Sequence, residues 1–180
     1  MIKRLFDVFL AIIGLCFIGW LLVIFWLLAS IDTRSNGLFI QDRIGQFGAS
    51  FKIVKLKTMH PKTRNISKIG AFFRKFKIDE LPQLWNIVIG SMSFVGPRPD
   101  VAGYYDLLEG ENRKILELKP GLTSAASLKY FNEEELLVLQ EHPLRYNDEV
   151  IFPDKVKLNL DYYYNRSFYG DLLIIIKTIL

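Results

Sequence analysis

The sequence predicts a mostly α protein with one small β-hairpin. An N-terminal membrane-embedded helix leads into a compact cytosolic α/β domain with amphipathic helices at the bilayer interface. Three observations predict it. A charge-free apolar run extends from Val8 to Ile31, one stretch alternates apolar and polar residues around two glycines, and helical patterns punctuated by prolines fill most of the rest. Residues 1–34 are expected to form the anchor and 35–180 the domain, because no repeat, long linker or low-complexity tract marks another boundary. A chain of 180 residues is long enough to bury one core of ordinary size.

The run VFLAIIGLCFIGWLLVIFWLLASI would reach roughly 36 Å as an unbroken helix, enough to cross a bilayer. It is too long for a signal peptide, Asp7 stands at its start, and no small-residue cleavage pattern follows. Lys3 and Arg4 precede it, and Arg34, Arg43, Lys52, Lys55 and Lys57 follow it. Positive flanks prefer the cytoplasmic side. A single spanning helix cannot place both flanks there, whereas a helix that turns back within one leaflet can, so the charges favour the re-entrant course. The run lacks proline, which leaves Gly14 and Gly19 as the expected weak points. Cys16, the only cysteine, excludes an internal disulfide and reads as a small lipid-facing or packing residue.

Ser35–Gly37 reads as a turn, and Leu38–Ile44 and Ser50–Leu56 as the two strands of the hairpin, with Gly45 and Gly48 between them. Helical patterns follow from Lys68 to Phe76 and from Pro82 to Ile89, proline being favoured in a first helical turn. The stiff turn GPRP at Gly96–Pro99 interrupts any helix. A further helix is expected from Tyr104 to Lys119, ended by Pro120 and Gly121. Asn132 is the expected N-cap of a helix with Glu133, Glu134 and Glu135 in its first turn. Leu158–Leu180, with three tyrosines at Tyr162–Tyr164, is amphipathic and suits a core or a bilayer interface.

The chain is 51% hydrophobic, with a net charge of +4 and a pI near 9.1. Apolar and basic together suggest a membrane surface or phosphate-bearing partners. His60 and His142 each precede a proline and read as turn or surface residues; no Cys/His cluster has zinc-site spacing. There is no P-loop, no G-x-G-x-x-G and no G-x-S-x-G, which argues against the common NTPase, dinucleotide-binding and serine-hydrolase classes. A basic nucleic-acid binder is disfavoured because the aromatic and basic residues follow the apolar segment and its edge.

Three constellations can carry chemistry. In KIDELPQLWN, Asp79 and Glu80 stand side by side just ahead of a helix that begins near Pro82, where its dipole would stabilise them as anions. Taken alone, such a pair is an ordinary acidic helix start. Adjacent carboxylates among Arg74, Lys75 and Lys77 are also a ready site for a divalent cation such as Mg2+. In SMSFVGPRPD, Arg98 lies between two prolines, so its guanidinium is pre-organised for bidentate contact with a phosphate. Lys55 and Lys57 share one strand face and Arg43 lies in the partner strand. That basic stripe either binds anionic lipid headgroups or holds a diphosphate, and these residues leave both open.

KRLFD (Lys3–Asp7), QDRIG (Gln41–Gly45), FKIVKLKTM (Phe51–Met59), IDELPQLWNI (Ile78–Ile87), GSMSFVGPRP (Gly90–Pro99) and KPGLT (Lys119–Thr123) occur in order, followed by Asp161, Ser167 and Asp171. Together they resemble the bacterial sugar transferases, monotopic phosphoglycosyl transferases acting on polyprenol phosphate, across nearly the whole chain. The resemblance implies transfer of a sugar-1-phosphate from a UDP-sugar to undecaprenyl phosphate, with release of UMP, as the first membrane step of a surface glycan. It implies Asp79 as nucleophile, forming an aspartyl-phosphosugar intermediate, and Glu80 as its partner in metal binding, proton handling or orientation. Mg2+ held at Asp79 and Glu80 would offset the repulsion between anions, aided by Arg98, with Arg43, Lys55 and Lys57 on phosphates or headgroups. It further implies an inner-membrane location with the catalytic domain facing the cytoplasm. The chain departs from the family in two places: the usual Ser-Pro break of the apolar helix is absent, and SAASLKYFNEEE follows KPGLT in place of a Gly- and Arg-containing segment. The sugar, the glycan pathway and the oligomeric state stay open. The competing expectation is a catalytically silent membrane scaffold in which Asp79 and Glu80 only start a helix.

Overall fold

The computed structural model describes residues 2–180. Its contacts divide the chain into two compact units: one holds the chain up to Arg43 together with Ser50–Met92, the other Ile44–Ala49 together with Ser93–Leu180. The predicted class holds: mostly helix, with a two-stranded hairpin and a long apolar N-terminal helix.

In the first unit, helix α1 (Ile2–Thr33) is uninterrupted through Gly14 and Gly19, so the expected break in the helix is not there. Only 6% of its most apolar window is buried, so the rest of the unit leaves most of this apolar surface open. The buried minority is informative. Asp7 and Ala11 are buried near one end, and Ala29 and Thr33 near the other. Strands β1 (Leu38–Ile44) and β2 (Ser50–Leu56) form the hairpin at the predicted bounds. Helix α2 (Lys68–Lys75) starts where the Ser67 side chain accepts from the Gly70 N–H at 2.9 Å, while the same hydroxyl donates to Asp32 at 2.6 Å. Ala29, Leu56 and Phe73 make a small core with Phe25, Leu38 and Ile78 around it. Helix α3 (Gln83–Ile89) closes the unit.

In the second unit, β3 (Ser93–Val95) and β4 (Gly121–Thr123) pair in parallel, Ser93 opposite Gly121 and Val95 opposite Thr123. This sheet is not legible in the sequence, because three-residue strands show no alternation. Gly96 and Gly121 touch backbone to backbone: a Cβ on either would strike the other segment's main chain. The helix expected over Tyr104–Lys119 is instead two 3-10 stretches, Tyr105–Leu107 and Gly110–Glu117. Asp106 explains the first break, since its carboxylate accepts from the Gly103 and Tyr104 N–H groups at 2.7 and 3.0 Å and competes with helical bonding.

Short helices α4 (Ala125–Lys129), α5 (Glu133–Val138) and α6 (Pro143–Tyr146) follow. Ser124 caps α4, but Asn132, the expected cap of α5, makes no capping bond with its side chain. A π-turn at Asn147–Ile151 enters α7 (Phe152–Asn165), and the expected C-terminal segment breaks at Ser167, which caps α8 (Phe168–Ile179). Tyr105, Ile115, Leu116 and Val156 form this unit's core.

Candidate active site

The dyad lies at a sharp change of direction. Lys77 takes the left-handed conformation (φ 54°) at the end of α2, a strained choice for a residue with a Cβ. A 3-10 turn at Ile78–Glu80 follows at once, and successive three-residue bonds carry the chain through Leu81 and Pro82 into α3. Asp79 and Glu80 therefore precede the helix, as predicted, but inside their own tight turn.

Two long-range clamps hold α3. The Asn86 side chain accepts from the Val54 N–H at 3.2 Å and donates to the Lys52 carbonyl at 2.8 Å, tying α3 to β2. The Arg4 guanidinium donates to the Ile87 and Val88 carbonyls at 2.6 and 3.0 Å, at the negative end of the helix. Neither was singled out as a functional residue from sequence. Each stood inside a quoted motif, the only local signal available, and its reach became visible only across 34 and 83 positions.

Both carboxylates are buried, Asp79 at 9% and Glu80 at 7% exposure. Glu80 is satisfied by Lys55, whose Nζ lies 3.0 Å from Oε1. Asp79 is not satisfied: its Oδ1 is buried with no hydrogen-bond partner. Burial, then the Glu80 charge, push the Asp79 carboxyl up to about 6, against the pull of Lys55 and Lys77. The expectation that the helix start would favour the anion is thus outweighed at Asp79, because desolvation costs more than a short helix returns. At neutral pH the group is still mostly ionised, and it is more basic than an ordinary aspartate.

The other predicted residues separate. Of the basic stripe, Lys55 reaches the dyad. Lys57 lies one residue past β2 and donates to the Ser35 hydroxyl at 2.9 Å, and Arg43 donates to Gln41 at 2.8 Å. Lys77, unassigned from sequence, acts on Asp79 by its charge. Arg98 belongs to the second unit. There, the Ser93 N–H donates to the Pro120 carbonyl at 2.9 Å and the Gly121 N–H to the Pro97 carbonyl at 2.8 Å, so the β3–β4 crossing fixes the loop that carries it. Pro97, Arg98, Pro99, Tyr105, Leu118 and Pro120 line a shallow concavity.

Among the described residues, no three His, Cys, Asp or Glu side chains gather as a metal site. Mg2+ commonly binds through one or two carboxylates completed by water and substrate phosphates. The bare Asp79 oxygen beside Glu80 fits that kind of site, completed by a phosphorylated substrate.

The family model described as bacterial sugar transferase matches residues 1–180. A Bacillus subtilis (strain 168) protein, provisionally named undecaprenyl-phosphate N-acetylgalactosaminyl 1-phosphate transferase, is 34% identical over 61% of this chain and 68% of its own. The exopolysaccharide production protein ExoY of Rhizobium meliloti (strain 1021) is 30% identical over 99% of this chain and 84% of its own. The UDP-glucose:undecaprenyl-phosphate glucose-1-phosphate transferase of Caulobacter vibrioides is 30% identical over 98% of this chain and 68% of its own. With the match running from end to end of the chain, and with Asp79, Glu80 and Arg98 all inside it, the protein belongs to the bacterial sugar transferase family.

Proposed function

We propose that the protein is a membrane phosphoglycosyl transferase that moves a sugar-1-phosphate from a UDP-sugar to undecaprenyl phosphate and releases UMP. The observation that carries this reading is the buried Asp79 oxygen with no partner, next to a glutamate held by Lys55. A bare, weakly solvated and unusually basic carboxylate is suited to attack phosphorus without a general base. The names of the relatives support the donor and acceptor classes and differ in the sugar, glucose in one and N-acetylgalactosamine in another.

In the first half-reaction an Asp79 oxygen attacks the phosphorus that bears the sugar. The aspartyl O–P bond forms as the P–O bond to UMP breaks. In the second, an oxygen of undecaprenyl phosphate attacks the same phosphorus, and the aspartyl oxygen leaves with its electron pair. The product is an undecaprenyl diphosphate sugar, and the carboxylate is restored. Both nucleophiles are already anionic, so neither step needs a proton removed. Lys55 fixes Glu80 and lowers the cost of the Asp79 charge. Arg98, in its proline frame, would grip phosphate oxygens bidentately, while Lys57 and Arg43 serve phosphates or headgroups outside the dyad. Asp79 and Glu80 would hold Mg2+ with donor phosphate oxygens, and the ion would neutralise charge between carboxylate and diphosphate.

The membrane course we propose keeps both ends of the unbroken α1 on the cytoplasmic face of the inner membrane, on the same side as the active site. Arg4 near one end of α1 bonds to α3, and Phe25 and Ala29 near the other pack with Leu56, Phe73 and Ile78 of the same unit. A helix tied at both ends to one water-facing body does not put its ends on opposite sides of a bilayer. Single cysteines at Lys3 and Ser35, in a Cys16→Ser background, should both label from the cytoplasmic side of membrane vesicles.

The activity test is a screen of UDP-sugars with Mg2+ and undecaprenyl phosphate, read as UMP release and labelled lipid. At least one donor should give both, and Asp79→Asn should give neither, nor any phosphosugar adduct by intact mass. Failure of every donor would leave the scaffold reading in its place.

A further inference from the structure

Helix α3 has two faces with different fates. Gln83, Leu84, Asn86 and Ile87 are buried, whereas Trp85 and Ile89, four residues apart on one face, are 55% and 57% exposed. The buried face is spoken for by β2, through Asn86, and by α1, through Arg4 and through Leu84, whose methyl lies against Gly14. From Leu81 to Pro97 the chain carries no charged residue. A helix without charge, packed along the lipid-facing helix of its own unit, presents a tryptophan and an isoleucine outward.

We propose that the Trp85–Ile89 face docks into the headgroup–acyl boundary of the phospholipid leaflet, and that Trp85 sets the depth of the Asp79–Glu80 turn at the level of lipid phosphates. Continuity with α1 chooses lipid as the occupant, because residues packed against a membrane-embedded helix lie at or near the bilayer. The indole chooses the depth, since tryptophan, with an apolar body and one N–H donor, prefers the boundary to either phase. The dyad opens the same run of turns that becomes α3, so a fixed depth for Trp85 fixes the depth of Asp79. An acceptor whose phosphate sits in the headgroup layer would then meet the nucleophile without leaving the leaflet. Trp85 is therefore a positioning residue, acting through the bilayer.

The test is depth-dependent fluorescence quenching. Trp85 is left as the only tryptophan by Trp20→Phe and Trp26→Phe, and the full chain is reconstituted in phosphatidylcholine–phosphatidylglycerol vesicles. Some vesicles carry bromines near the carbonyl end of the acyl chains and others near the methyl end. The expected result is blue-shifted emission, stronger quenching by carbonyl-end bromines, and weak quenching by aqueous iodide. Strong iodide quenching with no bromine effect would overturn the proposal, as would stronger quenching from the methyl end. Bromine quenching that appears only after undecaprenyl phosphate is added would assign the face to the acceptor's own chain and overturn it too. This measurement needs no turnover, so its failure is distinct from failure of the proposed reaction. In the assay, Trp85→Ser should raise the KM for vesicle-borne undecaprenyl phosphate by about tenfold. Trp85→Tyr should restore most of it, and the thermal midpoint should stay at the parent value in both. An unchanged KM for Trp85→Ser would show that the residue does not set the depth.

Discussion

Asp79 and Asp171 are both buried aspartates, 9% and 4% exposed, and each stands near the start of a helix. Asp171 lies in the first turn of α8 and accepts the Tyr162 hydroxyl at 2.6 Å, which ties α7 to α8. Asp79 keeps a buried oxygen with no partner and a carboxyl raised to about 6. The difference teaches where this fold spends polar groups. A buried carboxylate that is satisfied holds the structure together; one left bare costs stability and is free to do chemistry. Natural folds keep such costs mainly where function uses them.

The largest effect should come from Asp79→Asn, which removes the charge and keeps the shape. Adduct formation and turnover should fall on the order of 10^3-fold or more, as for loss of a covalent nucleophile. The folded protein should become more stable by on the order of 1–3 kcal/mol at neutral pH, because the raised carboxyl no longer has to ionise in a buried place. Loss of stability on denaturant unfolding would break the contrast with Asp171. Asp171→Ala should do the opposite: it removes the acceptor 2.6 Å from the Tyr162 hydroxyl, costing about 1–3 kcal/mol, while the phosphosugar adduct still forms by intact mass.

The pH dependence sharpens the same point. The Asp79 carboxyl titrates at about 6 in the fold against a usual value of 3.8. The rate of adduct formation should therefore fall as pH drops through 6, where the nucleophile takes a proton. The stability contribution runs the other way: the cost of ionising Asp79 in the fold is absent below the usual value and sets in as pH rises from 3.8 towards 6. Lys55→Met should lower turnover by roughly tenfold, since it removes the ammonium that lies 3.0 Å from the buried Glu80 carboxylate. It should also move the acid limb upward, because Lys55 holds the Asp79 carboxyl down. Lys57→Ala should be the mildest, within about 0.5 kcal/mol in stability and a small change in turnover, because its ammonium is occupied by Ser35. Equal losses from the two lysine variants would erase the distinction between them.

Much of the fold was legible because its signals are local. A charge-free run and strict alternation show within a short window of sequence, so α1 and the hairpin stand at their predicted places. The pattern over Tyr104–Lys119 misled because the Asp106 carboxylate bonds to the backbone, a competition that apolar spacing does not register. At the site, the pair Asp79–Glu80 and the proline frame of Arg98 were readable from residue chemistry and order. Which lysine serves the dyad was not, since Lys55 and Lys57 look alike in a strand pattern and diverge only where β2 ends.

The sequence by itself determined the long apolar helix, the hairpin, the family motifs and the adjacency of the two carboxylates, because each rests on composition or on neighbours along the chain. Only the tertiary structure decided that Glu80 is paired by Lys55 while an Asp79 oxygen is left bare, and that Gly96 and Gly121 lock two short strands backbone to backbone. It alone turned Trp85 outward from a helix whose other faces are taken. Burial, desolvation and close approach are properties of residues brought together from distant positions, and no window along the chain contains them.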